Sequence, residues 1–569
     1  MVYAVGMRAC VVGCGLASVV ALASVFGLAA CPGNGKTGTT TASGTTFTLF
    51  ALAEMRGQIE PCGCTTDPLG DLARTAQLVT EARGRGPVVV VDAGSLLYTQ
   101  APLPAHLRAQ EELKADLLAR VYQDELAVAA LGLGPLDLAA GPSGVRLPRQ
   151  AANVPAGAVP IDPPRVIKVG GETIGVFGVV DPAQVPTLGA GEPAAAARSA
   201  IAELRRRGAS RVIGVATMPR KDAVQLVRST PGIDVMVVGL GAQAPEPKDV
   251  RARAEQVGDT WMVFPSNRGQ VVSRFEITLR AGGGALIDAI GDAAAAGRRA
   301  ELDDKLTLLD VELARFANDP GADPAFVAGH TAERGRLAAE RDELMTTPLR
   351  IPARGSWFQL AQVRISRALA CDGEVVTAKQ GYARAAGSAN VAAASAKPPP
   401  PVAPGVATYV GVEACVDCHA EAVAFWNTTR HARAWETLEQ VGKPFDYDCI
   451  ACHTTGWADP GGATMAANQA LRDVQCETCH GPGSLHVDAD EADLKRTIRL
   501  APAVELCATR CHTPEHSDTF DRTAYLRDLI GPGHGEQARA LLGSGASGHE
   551  LRAAGLAKAG KAIGSGCPK

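Results

Sequence analysis

The chain has 569 residues, of which 46% are hydrophobic and 20% charged, and its formal net charge is -4. These values exclude a disordered chain, a collagen and a polytopic membrane protein, and without a basic excess no nucleic-acid partner is expected. The 15 cysteines and 11 histidines are unevenly spread. Only His106 and His330 precede residue 400, whereas eight cysteines lie between Cys415 and Cys511. Chemistry that needs both residue types is therefore expected in the C-terminal third.

Residues 1–31 are typical of a secretory signal, with a weakly positive start at Met7-Arg8 and an apolar, uncharged run after it. The run ends in Leu28-Ala29-Ala30-Cys31, which resembles the lipobox of bacterial lipoproteins and implies lipidation of Cys31. Residues 32–46, rich in Gly, Thr and Ser, then predict a flexible tether. We expect a lipoprotein of the cell envelope that faces the periplasm or the surface. The outer membrane is favoured, because Cys31 is followed by Pro32 and not by the Asp that often retains lipoproteins at the inner membrane. An uncleaved membrane anchor is the alternative.

Residues 47–290 alternate apolar runs with helical patterns, which predicts an α/β domain. Strands are predicted at Phe47–Ala53, Val88–Asp92, Val166–Val169, Ile174–Val179, Val212–Ala216, Val235–Val238 and Val271–Leu279. Helices are predicted at Gly70–Arg83, Gln110–Ala130, Ala195–Arg207 and Lys221–Ser229.

The framework of this domain resembles the metallophosphatase domain of bacterial 5'-nucleotidases, through Phe47–Gly57, Gly70–Arg74, Val88–Ser95 and Pro231–Val235. The resemblance implies a layered α/β sandwich. The family's metal-binding motifs fall on Glu54-Met55-Arg56-Gly57, Ser95, Leu133-Gly134-Pro135 and Gly239-Leu240-Gly241-Ala242. Because a two-metal phosphoesterase site needs several histidines and carboxylates in one cleft, we expect neither a dinuclear centre nor phosphoesterase activity.

The segment Cys62-Gly63-Cys64 has two interpretations. In an oxidising compartment these cysteines form disulfides, and pairing with Cys371 or Cys567 is one arrangement. They could instead form a thiolate site for a metal or for redox exchange.

Residues 291–392 are predicted to be helical, with a helix over Phe358–Ala370, and residues 393–408 form a Pro- and Ala-rich linker. A further domain over 409–535 and a C-terminal tail over 536–569 follow.

Three segments of this further domain match C-x-x-C-H, the spacing at which two thiols attach a haem and the adjacent histidine binds its iron. Structural zinc sites are the disfavoured alternative, because zinc does not require a histidine directly after each pair. The three motifs are Cys415–His419 with Cys418, Cys449–His453 with Cys452, and Cys476–His480 with Cys479.

A fourth segment, Cys507 to Cys511 and His512, has one extra residue between its cysteines. We expect four haems c, and three at minimum, with a disulfide or free thiols as the alternative for this segment. About 32 residues per haem cannot enclose each cofactor in an ordinary core, so the haems are expected to pack together.

The motifs and their surroundings resemble the tetrahaem cytochrome c-554 family. The resemblance rests on Tyr409-Val410-Gly411, on Trp426 with His431-Ala432, on Thr454-Thr455-Gly456 after the second motif, and on Val474–Ser484 with His486. The tail Gly531-Pro532-Gly533-His534-Gly535 also fits related multihaem proteins. The family pattern implies that His431, His486 and His534 are distal ligands and that the haem of His453 is five-coordinate. His516 is a substitute candidate.

We therefore expect an exported, lipid-anchored electron-transfer protein with a mainly α, haem-packed C-terminal domain. Its partners would be redox proteins or a membrane electron-transport chain. The alternative is a haem enzyme, a reductase or oxidase of a small nitrogen or oxygen species at the His453 haem. A phosphoesterase is less favoured.

Overall fold

The computed structural model describes residues 44–61, 65–281, 283–317, 321–399, 401–559 and Cys567. The predicted signal peptide with Cys31, and the Cys62-Gly63-Cys64 segment, lie outside the described residues. Within the described part of the chain, no helix is both long and apolar enough to cross a membrane.

The strands are β1 Thr45–Leu52, β2 Val88–Asp92, β3 Ala130–Leu131, β4 Arg165–Val169, β5 Glu172–Val180, β6 Arg211–Thr217, β7 Val235–Gly239, β8 Glu255–Val257, β9 Thr260–Val263, β10 Val271–Leu279, β11 Ile287–Asp288 and β12 Trp357–Arg364. The helices of the same region are α1 Leu72–Arg83, α2 Arg108–Asp124, α3 Pro193–Arg206, α4 Arg220–Ser229, α5 Asp292–Ala317, α6 Pro324–Thr346 and α7 Gly373–Ala396. The helices after residue 400 are α8 Val416–Trp426, α9 Ala434–Val441, α10 Tyr447–Ile450, α11 Cys476–His480, α12 Ser484–Val487, α13 Val504–Arg510, α14 Arg522–Arg527, α15 Glu536–Ala540 and α16 Gly548–Lys558.

Two six-stranded sheets form the first part of the fold. Their strand orders are β11-β12-β10-β1-β2-β3 and β4-β5-β6-β7-β9-β8. In the first sheet β1 runs parallel to β2 and antiparallel to β10. In the second sheet β5, β6, β7 and β9 are parallel. The runs of valine in these strands suit a sheet that is covered on both faces.

Side chains along β1 point alternately to the two faces of its sheet, and each face packs against a different layer. Phe47, Leu49 and Ala51 enter the core between the two sheets, whereas Phe50 and Leu52 point to the opposite face. That opposite face is covered by α1, α2 and α7, and the outer face of the second sheet is covered by α3 and α4. The result is a four-layer α/β sandwich, as the framework predicted.

The helix predicted over Phe358–Ala370 is wrong, and the helical region predicted over 291–392 is interrupted by a strand between α6 and α7. Residues Trp357–Arg364 form β12, which pairs with β10 along its whole length. Phe358 and Leu360 alternate into the core between the sheets, where Phe358 is fully buried. The α/β fold therefore continues past residue 290 as far as α7, and we call residues 44–396 the α/β region.

Residues 409–559 are called the haem-motif region, and their architecture is different. The helices are short, and ten hydrophobic residues are buried among those described: Val423, Ala434, Trp435, Leu438, Ile450, Ala463, Met465, Leu471, Ala524 and Leu556. One small apolar cluster forms around Trp435, Leu438, Ile450 and Met465. So few buried apolar side chains provide little of the burial that stabilises a domain of this length.

A disulfide links the end of the chain to the α/β region. Cys371 and Cys567 are bonded across a sequence separation of 196 residues. Both cysteines pack against the core beneath α1 and α2.

Candidate functional site

Three of the four motif histidines are oriented by a contact to Nδ1 of the ring. Nδ1 of His453 lies 2.6 Å from the carbonyl oxygen of Ala434, and Nδ1 of His480 lies 2.7 Å from that of Arg499. A carbonyl oxygen only accepts, so each Nδ1 carries the proton and donates it. Nε2 of each ring is therefore left with a free lone pair, the arrangement found in metal-bound histidines. Nδ1 of His512 makes the comparable contact with the hydroxyl of Ser517 at 3.1 Å.

Two of the predicted distal histidines lie opposite motif histidines. The ring centroids of His419 and His486 are 6.3 Å apart and the rings are nearly parallel, at 17°. The centroids of His431 and His512 are also 6.3 Å apart, with the rings at 36°. Two imidazoles that bind one metal from opposite sides, each at about 2 Å, have ring centroids about 6 to 6.5 Å apart. Each pair therefore leaves the gap that one iron needs.

His534 lies near two of the motif histidines, His480 and His419. Its pKa is lowered by burial and then by repulsion from His480 and His419, so its ring lies near both. Its Nδ1 is buried without a hydrogen-bond partner in the described part of the chain. An orphaned buried nitrogen beside a motif histidine fits a site that a further group completes.

Glycines bring His534 to this position. A Cβ at Gly531 would lie 2.4 Å from the Phe425 ring, and a Cβ at Gly533 would lie 2.4 Å from the backbone nitrogen of Ala422. Gly533 also has a φ of +88°. The Gly-Pro-Gly-His segment can therefore cross α8 only because it lacks these side chains.

His453 is different from the other three motif histidines. Thr437 Oγ1 and the Ala434 carbonyl oxygen surround its Nδ1. Among the described residues, no histidine ring faces it as His486 faces His419 or as His431 faces His512. The residues present thus supply this site with one imidazole.

The other two histidines of the region do not face a motif. Nδ1 of His516 lies 2.8 Å from the Thr513 hydroxyl, three residues away. His549 is exposed near the start of α16.

The Cys371–Cys567 disulfide includes none of the eight cysteines of the four motifs. The thiols of Cys415 and Cys476 are within hydrogen-bonding reach of each other, as are those of Cys452 and Cys511. The first motif is therefore adjacent to the third, and the second to the fourth. The extra residue of the fourth motif does not displace His512, which still faces His431.

In the α/β region, the positions of the 5'-nucleotidase motifs converge on an ion pair. Arg56 Nε lies 3.1 Å from Glu54 Oε2, and the same guanidinium donates a hydrogen bond to the carbonyl oxygen of Gly241. Glu54 Oε1 accepts from the backbone N–H of Gly241 at 2.9 Å. Burial raises the pKa of Glu54 to about 7, and Arg56 partly offsets this.

The neighbouring Asp92 was not singled out from the sequence, although its place at the end of the β2 valine run was a usable signal. It is fully buried, it accepts from the hydroxyl of Tyr122 at 2.7 Å, and burial raises its pKa to about 6. No group of three or more His, Cys, Asp or Glu side chains placed to hold a metal ion occurs among the described residues.

Comparison with known proteins finds a family match within the C-terminal region. Residues 414–481 match the family model of cytochrome c554 and c-prime. Cytochrome c-554 of Nitrosomonas europaea is 33% identical over 93 residues, which cover 14% of this chain and 40% of that protein. The chain thus spans well under half of the curated relative it matches.

Two solved structures are similar to separate parts of the chain. Reduced cytochrome c554 from Nitrosomonas europaea is 25% identical, with a TM-score of 0.18, over 20% of this chain and 79% of that one. A 5'-nucleotidase precursor from Thermus thermophilus is 16% identical, with a TM-score of 0.39, over 60% of this chain and 58% of that one. The C-terminal third thus carries a match to the cytochrome c554 family, whose members bind haem c, and the α/β region resembles 5'-nucleotidase structures.

Proposed function

We propose that this chain is an exported, lipid-anchored multihaem c-type cytochrome that transfers electrons through four covalently bound haems. The observation that carries the proposal is the spacing of two histidine pairs, His419 with His486 and His431 with His512, each at 6.3 Å between ring centroids. Haem c supplies a one-electron couple at its iron, and an iron held by two imidazoles has no open position. Such sites transfer electrons and do not bind substrate.

The chain's own groups keep the imidazoles ready to bind. Burial, with some repulsion from His512, lowers the pKa of His431 to about 4, so its ring is neutral. Burial also lowers the pKa of His453, of His512 and of His534. Backbone carbonyls hold the Nδ1 protons of His453 and His480, which leaves Nε2 for the iron.

The proximity of the motifs supports passage of electrons along the chain of haems. The Cys415 and Cys476 thiols are mutual neighbours, and so are those of Cys452 and Cys511. Haems attached to neighbouring thiols have adjacent edges. Redox partner proteins, or an electron-transport chain of the membrane that holds the lipid, would donate and accept the electrons.

Four measurements test this proposal. A pyridine haemochrome assay and the intact mass should both give four haems per chain, and titration with dithionite should consume four electrons. The mature N-terminus should be a lipidated Cys31. A count of three haems would mean that the fourth motif carries no haem. A chain without any haem would overturn the proposal. An unmodified Cys31 still joined to Ala30 would remove the lipid anchor alone.

A second candidate is a haem enzyme that reduces or oxidises a small nitrogen or oxygen species. The specific observation in its favour is His453, which no described histidine faces. Binding of nitric oxide to one haem per reduced chain, with turnover above that of a His453→Ala variant, would favour this candidate. Binding without turnover would favour electron transfer.

A phosphoesterase is the least favoured function. The positions that would hold two metals are occupied by the Glu54–Arg56 ion pair and by backbone hydrogen bonds to Gly241. Stoichiometric zinc or manganese together with hydrolysis of p-nitrophenyl phosphate would reverse this ranking.

A further inference from the structure

The α/β region and the haem-motif region meet at a buried polar junction. It is formed by Gln110 and Lys114 of α2, Asn390 of α7 and the segment Phe445–Asp448. Gln110 is fully buried, and Asn390 and Lys114 are 1% and 3% exposed. Buried polar side chains need partners, so this contact fixes one arrangement of the two regions.

Each polar group of Gln110 bonds to another element. Its Nε2 donates to Asp446 Oδ1 at 2.8 Å, and its Oε1 accepts from the Tyr447 N–H at 3.1 Å. The same Oε1 accepts from Asn390 Nδ2 at 2.7 Å, and that Nδ2 also donates to the Phe445 carbonyl oxygen at 2.9 Å. Asp446 is in turn the N-cap of α10.

Helix α10 carries Cys449, the first thiol of the motif that ends at His453. The α/β region is therefore bonded directly to the turn that attaches this haem. The small apolar cluster continues the contact, because Val391 and Ala394 of α7 pack against it, as do Tyr447 and Cys449.

Lys114 places a fixed positive charge in the junction. Its Nζ lies 2.7 Å from Glu111 Oε1 and 3.0 Å from Asp448 Oδ2, and Asp448 directly precedes Cys449. Burial alone would lower the pKa of Lys114, but attraction to Asp448, Tyr382 and Glu111 outweighs it and holds the pKa above its usual value. The lysine is therefore charged at every pH at which the protein functions.

We propose that the α/β region sets the reduction potential of the haem attached at Cys449, Cys452 and His453, and that Lys114 is the positioning residue through which it acts. The inference rests on the proposed function, since it needs a haem at this motif. The couple is the one-electron reduction of ferric to ferrous iron. A nearby fixed positive charge favours the ferrous form, which carries one positive charge fewer, and so raises the potential. The nucleotidase-like region thus serves as part of a redox site.

The test is a potentiometric titration of the full-length, haem-loaded protein, with the electron supplied by reduced mediators. We expect Lys114→Met to shift the ferrous-to-ferric ratio of the His453 haem about tenfold toward ferric at a fixed potential, or about 59 mV for one electron. For scale, loss of one unit charge about 12 Å from a redox centre has an effect of this size at an effective dielectric constant near 20. The haem is followed by its high-spin optical and EPR signals.

Three further variants separate the effect of the Lys114 charge from any effect of Lys114→Met on folding. Asp448→Asn removes the opposite charge from the partly exposed side of the junction and should shift the same haem toward ferrous. Lys114→Arg should restore the parent potential, because it keeps the charge. Lys168→Met, an exposed lysine on β4, should move no haem.

The outcomes distinguish the two levels of the proposal. If the parent protein holds four haems and both Lys114→Met and Asp448→Asn change the ratio less than about twofold, the role of Lys114 is contradicted while the cytochrome function stands. If all four haems shift equally in Lys114→Met, the specific link to His453 is contradicted. If the parent holds no haem at Cys449 and Cys452, the proposed function and this inference both fail. Should Lys114→Met fail to fold, Asp448→Asn decides.

Discussion

The α/β region and the haem-motif region of this chain are stabilised in different ways. The first has large apolar cores beneath its helices and between its two sheets. The second has, among its described residues, short helices, one small apolar cluster and the eight cysteines of the motifs. The first can fold by burying its own side chains, whereas the second has a ligand set and a loop framework but little apolar mass. The comparison suggests that covalent haem completes the core of the second region.

The most severe test of this comparison is production of the full-length chain without haem attachment. We expect the haem-motif region to lose its fold, because the paired histidines and thiols then surround no cofactor. Limited proteolysis should digest residues 409–559 and leave the α/β region resistant, with the haem-loaded protein as the control. Equal resistance of both regions without haem would contradict the account.

Removal of one distal histidine should change the ligation of a single haem. His431→Ala takes away the ring that faces His512, so one additional haem should become high-spin in the EPR spectrum. His549→Ala, at an exposed position, is the control and should leave every spin state unchanged. A His431→Ala protein with the parent spectrum would show that the pair is not the ligand set.

The core between the sheets should be sensitive to loss of volume. Phe358 is fully buried and contacts the rings of Trp261 and Phe275. Phe358→Ala should lower the free energy of unfolding of the α/β region by about 3 to 5 kcal/mol, as measured by urea denaturation. Leu308→Ala, at a side chain that is 67% exposed, should have little effect. If Phe358→Ala lowered the free energy of unfolding only slightly, Phe358 would not be part of the core between the sheets.

The smallest expected effect concerns the ion pair that stands at the nucleotidase motif positions. Burial raises the pKa of Glu54 from 4.5 to about 7 in the folded chain. Its contribution to stability is therefore full below pH 4.5 and is lost as the pH rises through 7. Glu54→Gln cannot ionise, so the decline in stability between pH 4.5 and 7 should shrink by up to about 3 kcal/mol.

Unfolding of the parent and the variant across this pH range checks the prediction. Asp92, whose pKa is also raised by burial, retains part of the slope in both proteins. Identical slopes would show that Glu54 is not the group that titrates.

The local sequence pattern of apolar residues predicted many strands of the sandwich. The runs Val88–Asp92 and Val271–Leu279 were placed to the residue, because continuous or alternating β-branched residues indicate strands. Trp357–Arg364 was missed, since it lies between long helical patterns and its strand state depends on pairing with β10. Tertiary pairing in this case overrides the local signal.

The ligand partnerships required the structure. Spacing marks His419 and His512 as motif histidines, but nothing local connects them to His486 and His431, which are 67 and 81 residues away in the chain. The junction through Gln110 and Asp446 was likewise invisible, because both residues look like ordinary surface side chains in the sequence.

The central claim is a haem-filled region with three paired irons and one haem held by His453 alone. EPR of the oxidised, full-length protein tests it most directly, with spins quantified against the haem count. The account predicts three low-spin haems and one high-spin haem per chain, and in His453→Ala the high-spin haem should lose its parent signal. Any other count, such as four low-spin haems or only two, would contradict it.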